Sequence, residues 1–107
     1  MPQYVLRLEH TSDQCPSANA KVRERIAQGA AEIPRLAQKL GVKIVIGPLV
    51  LMGEHESFVV VETDKVETVN EFVLHSGLMQ WNKVVVSAVK PLDEAMKDFE
   101  RMPPPIY

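Results

Sequence analysis

Hydrophobic and polar residues alternate over residues 4–10, close to the start of the chain. Tyr4, Leu6 and Leu8 would share one face of an extended segment, and the charged residues Arg7 and Glu9 would share the other. Alternation with a period of two is typical of a β-strand that is buried on one side. We therefore predict that the chain begins with a strand.

The next apolar residues recur three or four positions apart from Val22 to Leu40, which is the spacing of one face of an α-helix. We expect this helix to start at Pro16, because the first helical position needs no amide partner. Pro34 lies inside the pattern and is expected to kink the helix or split it. Gly41 follows the last periodic residue and is a natural left-handed terminator.

The remainder of the chain predicts two further strands, a helix, another strand and a last helix. Gly47-Pro48 interrupts the first of these strands, which indicates a bulge or bend on an edge strand. Asp64 is predicted to cap the middle helix with Glu67 as its capping-box partner, and Gly77 to end it. The predicted strands span 42–52, 57–63 and 81–89, and the last helix spans 92–102.

This order of elements, β-α-β-β-α-β with an added C-terminal helix, fits the ferredoxin-like α+β fold. Right-handed crossovers give an expected strand order of 4-1-3-2 with antiparallel neighbours. A chain of 107 residues makes one domain. We place that domain at residues 1–102 and assign residues 103–107, which begin with three prolines, to an extended C-terminal arm.

One face of such a sheet is left without a helix, because two helices can cover only the other face. Val59, Val61, Val85 and Val89, or the residues that alternate with them, would give the open face an apolar surface. Apolar surfaces of that size are normally covered by a partner. A symmetric homodimer is the simplest arrangement that does so.

Composition and charge exclude several classes of protein. Twelve Lys and Arg residues against fourteen Asp and Glu residues give a net charge of −2 without a basic cluster, which argues against nucleic-acid binding. Cys15 is the single cysteine, so neither an internal disulfide nor a cysteine-only zinc site is possible. Short apolar runs and a strand-like N-terminus indicate no membrane span and no signal peptide. We expect a cytoplasmic protein.

The second half of the chain resembles small members of the dimeric α+β-barrel superfamily, and within it the GYD-domain proteins and a related uncharacterised family. The resemblance covers roughly residues 39–95 and implies two ferredoxin-like subunits whose sheets face each other around a cavity. Relatives in the superfamily include cofactor-free monooxygenases, lactone isomerases and haem enzymes. The matching positions are Gly53, Phe58, Val61-Glu62, Asp64, Trp81-Asn82, Val89 and Pro91.

The predicted topology brings three segments to one edge of the sheet: the end of the first strand, the central hairpin and the loop before the last strand. These segments hold all three histidines and the cysteine. Imidazole and thiolate are ligands for zinc, copper or iron, and nearby Met52 and Met79 would suit copper(I). The leading hypothesis is therefore a small metal- or ligand-binding protein whose metal ligands are His10, Cys15, His55 and His75.

Other chemical roles stay open for the same residues. Cys15 at a helix start would be a reactive thiol, because the helix dipole favours the thiolate, with His10 as its base. The dimer cavity could instead bind an apolar small molecule oriented by Arg7, Glu9 and Trp81, and Arg7 and Glu9 are expected to pair with each other or to reach solvent. A cavity enzyme of the monooxygenase or isomerase type, with His10 as base, and a non-catalytic dimeric assembly module are the alternatives.

Each of these side chains also has a purely structural role open to it. Cys15 could be a small buried residue, and His55 a solvated turn residue. His75 could interact with the C-terminal dipole of the middle helix, and Trp81 could be a structural anchor. Which roles apply depends on whether the four predicted ligands point toward one another.

Overall fold

The computed structural model describes residues 1–105 and shows an α+β fold with four strands and three α-helices in that part of the chain. Pro103 to Pro105 are exposed and have no regular secondary structure, and the last two positions of the predicted arm lie outside the described residues. The strands are β1 (Gln3–Glu9), β2 (Lys43–Leu51), β3 (Glu56–Glu62) and β4 (Lys83–Val89), and the helices are α1 (Ala20–Leu40), α2 (Val66–Ser76) and α3 (Leu92–Glu100).

The four strands form one antiparallel sheet in the order β2-β3-β1-β4, which is the predicted order. β1 lies in the middle, where Leu6 pairs with Val59 of β3 and with Val86 of β4. β2 is an edge strand whose register shifts around Gly47, so the predicted bulge is confirmed. This arrangement is compatible with the ferredoxin-like plan.

The core lies between one face of the sheet and helices α1 and α2. Alternate residues of β1 and β3 point into it, as the period-two pattern predicts. Phe72 of α2 is only 1% exposed, and Leu6, Val61 and Val69 are completely buried with it. The core cluster consists of Tyr4, Leu6, Ala37, Val42, Val59, Val61, Val69, Phe72 and Val73.

Helix α1 begins four residues later than predicted. The side chain of Asn19 accepts a hydrogen bond from the Val22 amide at 3.1 Å and caps the helix, whereas Pro16 lies in a turn before it. An N-cap side chain that satisfies a free amide determines this start more strongly than proline does. The helix then runs unbroken through Pro34, so the predicted split is wrong, and it ends at Gly41 in the expected left-handed conformation (φ 77°).

Two further boundaries differ from the prediction. The residue at the N-cap of α2 is Lys65, and no side chain caps the helix, so the predicted capping box of Asp64 and Glu67 is absent there. The Lys65 carbonyl instead accepts from the Thr68 amide at 3.1 Å. β4 starts at Lys83 because Trp81 belongs to the turn after a short 3₁₀ helix, Leu78–Gln80.

Within residues 1–105 no helix lies over the second face of the sheet. Val59 and Val61 are buried in the core, and the residues that alternate with them, Phe58 and Val60, lie on the open face. In β4 the open face carries Val85, as expected. Further apolar residues of β2 extend this face at the sheet edge; Ile46, Leu49 and Leu51 are each more than 40% exposed.

Helix α3 also presents apolar residues to solvent. Leu92, Met96, Phe99 and Met102 follow the spacing of one helix face and are each at least half exposed, and α3 has no buried residue. Its polar side is tied to the chain by an ion pair between Lys90 and Asp98 at 2.6 Å. No described helix has the length and apolarity to cross a membrane.

Candidate metal site

His10 is the first residue after β1, and a backbone hydrogen bond fixes its position. Its amide donates to the carbonyl of His55 at 3.1 Å, which ties the end of β1 to the turn between β2 and β3. That turn places His55 in the left-handed conformation (φ 46°), which a non-glycine residue adopts at some cost. The two imidazole rings meet edge to face with their centroids 5.4 Å apart.

Cys15 reaches the same place from the loop between β1 and α1. A 3₁₀ turn, Ser12–Gln14, ends at Cys15, whose carbonyl then accepts from the amides of Ala18 and Asn19 at 2.9 and 2.8 Å. This tight turn holds the partly buried cysteine in place. Its Sγ atom lies 2.9 Å from Oγ of Ser17.

One ligand atom from each of His10, Cys15 and His55 lies within 4.8 Å of the other two. Ligand atoms around a tetrahedral zinc ion are about 3.3–3.6 Å apart, given zinc–nitrogen and zinc–sulfur bonds of about 2.1 and 2.3 Å. Closing that difference takes a displacement of about 1 Å or less per side chain. The three residues therefore lie close together and could hold a metal ion.

The imidazole of His10 is the least satisfied polar group of this cluster. Both of its ring nitrogens are shielded from solvent and have no hydrogen-bond partner among the described residues. An unsatisfied buried polar group costs about 1–3 kcal/mol. A metal ion bound to one ring nitrogen would remove part of that cost.

Cys15 has a strongly lowered pKa. The hydroxyl of Ser17 is the largest cause, followed by the backbone amide of Ser17 and then by His10, and together with His55 they lower the pKa of the thiol from 9.0 to about 6. The cause differs from the one predicted, because Cys15 precedes α1 by five residues and does not cap it. A thiolate at neutral pH is the form that binds metal.

The fourth predicted ligand, His75, does not join this group. It lies in the last turn of α2, where its Nε2 is 3.0 Å from Oε2 of Glu71, one helical turn earlier. Both side chains are more than half exposed. Met52 and Met79 are 88% and 58% exposed, so neither fills the core as methionines usually do.

A surface pocket of about 340 Å³ is lined in part by His10. The indole of Trp81 stands against the imidazole of His10, with the ring centroids 5.5 Å apart and the planes inclined by 45°. The pocket is lined by Glu9, His10, Thr11, Trp81 and Lys83.

The predicted ligand-binding residues thus fall into two groups. Glu9 and Trp81 line the pocket, whereas Arg7 does not. Arg7 and Glu9 are both exposed on the open face, and within residues 1–105 no ion pair joins them. Of the two alternatives expected from the sequence, pairing with each other or reaching solvent, these side chains follow the second.

Three residues of the site, Thr11, Lys83 and Ser17, were not anticipated from the sequence. Lys83 lines the pocket because it is paired directly with Glu9 across β1 and β4, and the register of the two strands was the signal that could have identified it. Ser17 supports the Cys15 thiolate. A serine two residues after a polar side chain in a turn is a common hydrogen-bond partner, and this spacing was the available signal.

Comparisons with known proteins add little to this geometry. No protein family matches the chain, and neither does any curated protein. Among solved structures the chain is similar to a de novo designed protein, Foldit4, with 19% sequence identity, a TM-score of 0.41 and alignment over 84% of this chain and 94% of the other. The likeness to the GYD-domain proteins stays a prediction.

Proposed function

We propose that this protein binds a transition metal ion through His10, Cys15 and His55. The main support is the convergence of three donor atoms within 4.8 Å around an imidazole whose ring nitrogens have no other partner among the described residues. Two segments far apart in sequence supply these donors, His10 and Cys15 from one and His55 from the other, and a backbone hydrogen bond connects the two segments. The site is therefore built by the fold and not by one local motif.

The donor set suits zinc. Two imidazoles and one thiolate are borderline to soft ligands, which fit Zn²⁺ and are poor ligands for Mg²⁺ and Ca²⁺. Three protein ligands leave a fourth tetrahedral position for solvent or a small ligand, as in catalytic zinc sites.

Titration of the metal-free protein with Co²⁺ tests this function. Cobalt replaces zinc in such sites and reports a cysteine ligand through a charge-transfer band in the near ultraviolet. We expect the band to saturate at one equivalent and to disappear when one equivalent of Zn²⁺ is added. C15S should abolish the band, and H10A or H55A should weaken Zn²⁺ binding by about 10- to 100-fold or more.

H75A is the matched control, because His75 lies outside the cluster and pairs with Glu71. It should bind Co²⁺ and Zn²⁺ as the original chain does. Circular dichroism before each titration separates a lost ligand from a lost fold. The metal function is overturned if folded C15S and the original chain bind Zn²⁺ equally well, or if the cobalt complex shows no cysteine band.

We also propose that two copies of the chain pair through their open sheet faces, in the manner of a dimeric α+β barrel. Two unpartnered apolar surfaces support this pairing: the open face of the sheet, with Phe58 and Val60, and the exposed apolar side of α3. Charged residues such as Arg7 and Glu9 lie among the apolar ones on the open face.

Analytical ultracentrifugation measures this state directly. We expect a dimer at micromolar concentration, and a monomer for V60E, which places a charge in the middle of the open face. L74E is the control, because Leu74 is 60% exposed on α2, on the opposite side of the sheet. A monomeric original chain, or a V60E variant that dimerises as tightly as L74E, would rule out this pairing.

A further inference from the structure

The pocket beside His10 carries one acidic and one basic group that leave each other unpaired. Glu9 and Lys83 are direct cross-strand partners in β1 and β4, an arrangement in which opposite charges usually interact. Both are exposed, and in the described part of the chain no ion pair joins them. Each charge is therefore available to a group of opposite sign that enters the pocket.

Strand β3 adds a further negative charge beside Glu9. Glu9 is paired with Lys83 on one side and with Glu56 of β3 on the other. The three residues therefore form a row across the sheet in the order Lys83, Glu9, Glu56, with the two carboxylates next to each other. Like charges in such positions repel each other. A cation placed near Glu9 would relieve that repulsion, while Lys83 keeps the other end of the row positive.

Flat aromatic surfaces form the wall of the same pocket. Trp81 and His10 stand together with a centroid separation of 5.5 Å, and the indole is only partly buried. An exposed indole face is a good contact for a planar apolar group or for a cation. The volume, about 340 Å³, is at the lower end of the range for small-molecule sites.

We infer that this pocket binds a small zwitterion that carries a planar apolar group, such as a free aromatic α-amino acid. Its ammonium group would contact Glu9, its carboxylate would contact Lys83 and its ring would lie against Trp81. Arg7 points from the same strand face but does not line the pocket, so it takes no part. The pocket needs no metal, although His10 belongs to both the pocket wall and the cluster with Cys15.

Trp81 is the only tryptophan of the chain, so its fluorescence reports on the pocket alone. Phenylalanine is the probe. Two matched compounds each lack one of its charged groups: 3-phenylpropionate lacks the ammonium group, and 2-phenylethylamine lacks the carboxylate. Titrations use the full chain with a chelator present and are repeated on C15S. We expect saturable quenching by phenylalanine in both proteins, at least about tenfold tighter than for either matched compound.

Variants of the two charged residues assign the contacts. K83M should weaken phenylalanine binding by about tenfold and leave the binding of 2-phenylethylamine unchanged. E9Q should also weaken phenylalanine binding by about tenfold, but it should leave the binding of 3-phenylpropionate unchanged. R7M is the control and should bind all three compounds as the original chain does. The inference is overturned if phenylalanine gives no saturable change up to about 10 mM, or if all three compounds bind equally. Neither outcome depends on zinc binding.

Discussion

Replacing Phe72 by alanine is expected to lower the free energy of unfolding by about 3–5 kcal/mol. Phe72 is 1% exposed and is the largest of the completely buried side chains. It joins α2 to the sheet within the same cluster as Leu6 and Val61. The substitution removes the buried ring and leaves a cavity that rigid neighbouring strands cannot fill.

Urea denaturation followed by circular dichroism measures this loss. L74A is the matched control, because Leu74 lies on the same helix and is 60% exposed, and it should change the free energy by less than about 0.5 kcal/mol. If the chain binds zinc as proposed, F72A should still do so in its folded fraction, since the three candidate ligands lie in loops at one end of the sheet. A loss below about 1 kcal/mol would show that α2 does not pack as the structure describes.

Most of the fold follows from periodicity in the sequence. The alternation in β1 and the helical spacing in α1 identify these elements because each must bury one face. The exact start of α1 does not follow from periodicity, because several residues in the preceding loop could serve as its N-cap. Pro16 satisfies a general preference, but the Asn19 side chain bonds to an actual amide, and that local contact decides where α1 begins.

Part of the candidate site also follows from topology. His10 and His55 come together because the end of β1 must lie beside the turn that leads into its neighbour β3, and their backbones are hydrogen-bonded there. The position of His75 did not follow in this way, although the end of α2 at Gly77 was predicted. His75 lies in the last turn of α2, where its imidazole pairs with Glu71 one helical turn earlier, and it does not join the cluster.

The sequence predicted a stabilised thiolate at Cys15 but attributed it to the wrong physical cause. A helix start at Pro16 would have lowered the pKa of Cys15 through the helix dipole. The structure replaces that cause with a hydrogen bond from Ser17 and with two neighbouring imidazoles. Both routes favour a thiolate, but only the second places the sulfur beside the other two candidate metal ligands.

Alkylation of Cys15 by iodoacetamide is expected to follow a pH midpoint of about 6 in the folded, metal-free protein. Because the folded pKa is lowered, the proton leaves as the pH rises from about 5 to 7, and the rate then stays nearly constant from pH 7 to 9. An ordinary thiol with a pKa near 8.5 would become roughly 25 times more reactive over that interval, as its thiolate fraction grows from about 3% to about 75%. The absolute rate at pH 7 should exceed the ordinary one only a few-fold, since nucleophilicity falls with pKa.

Two variants and a denaturant test the physical causes of this profile, and added zinc tests Cys15 as a ligand. S17A should move the midpoint upward, because it removes the largest stabilising hydrogen bond, and H75A should leave it unchanged. In denaturant the midpoint should return to the ordinary range near 8.5. One equivalent of Zn²⁺ at pH 7 should slow alkylation at least about tenfold, because the metal withdraws negative charge from the bound sulfur and shields it from the reagent. A rate that keeps rising through pH 9 would show an unperturbed thiol, and unchanged reactivity with zinc would exclude Cys15 as a ligand.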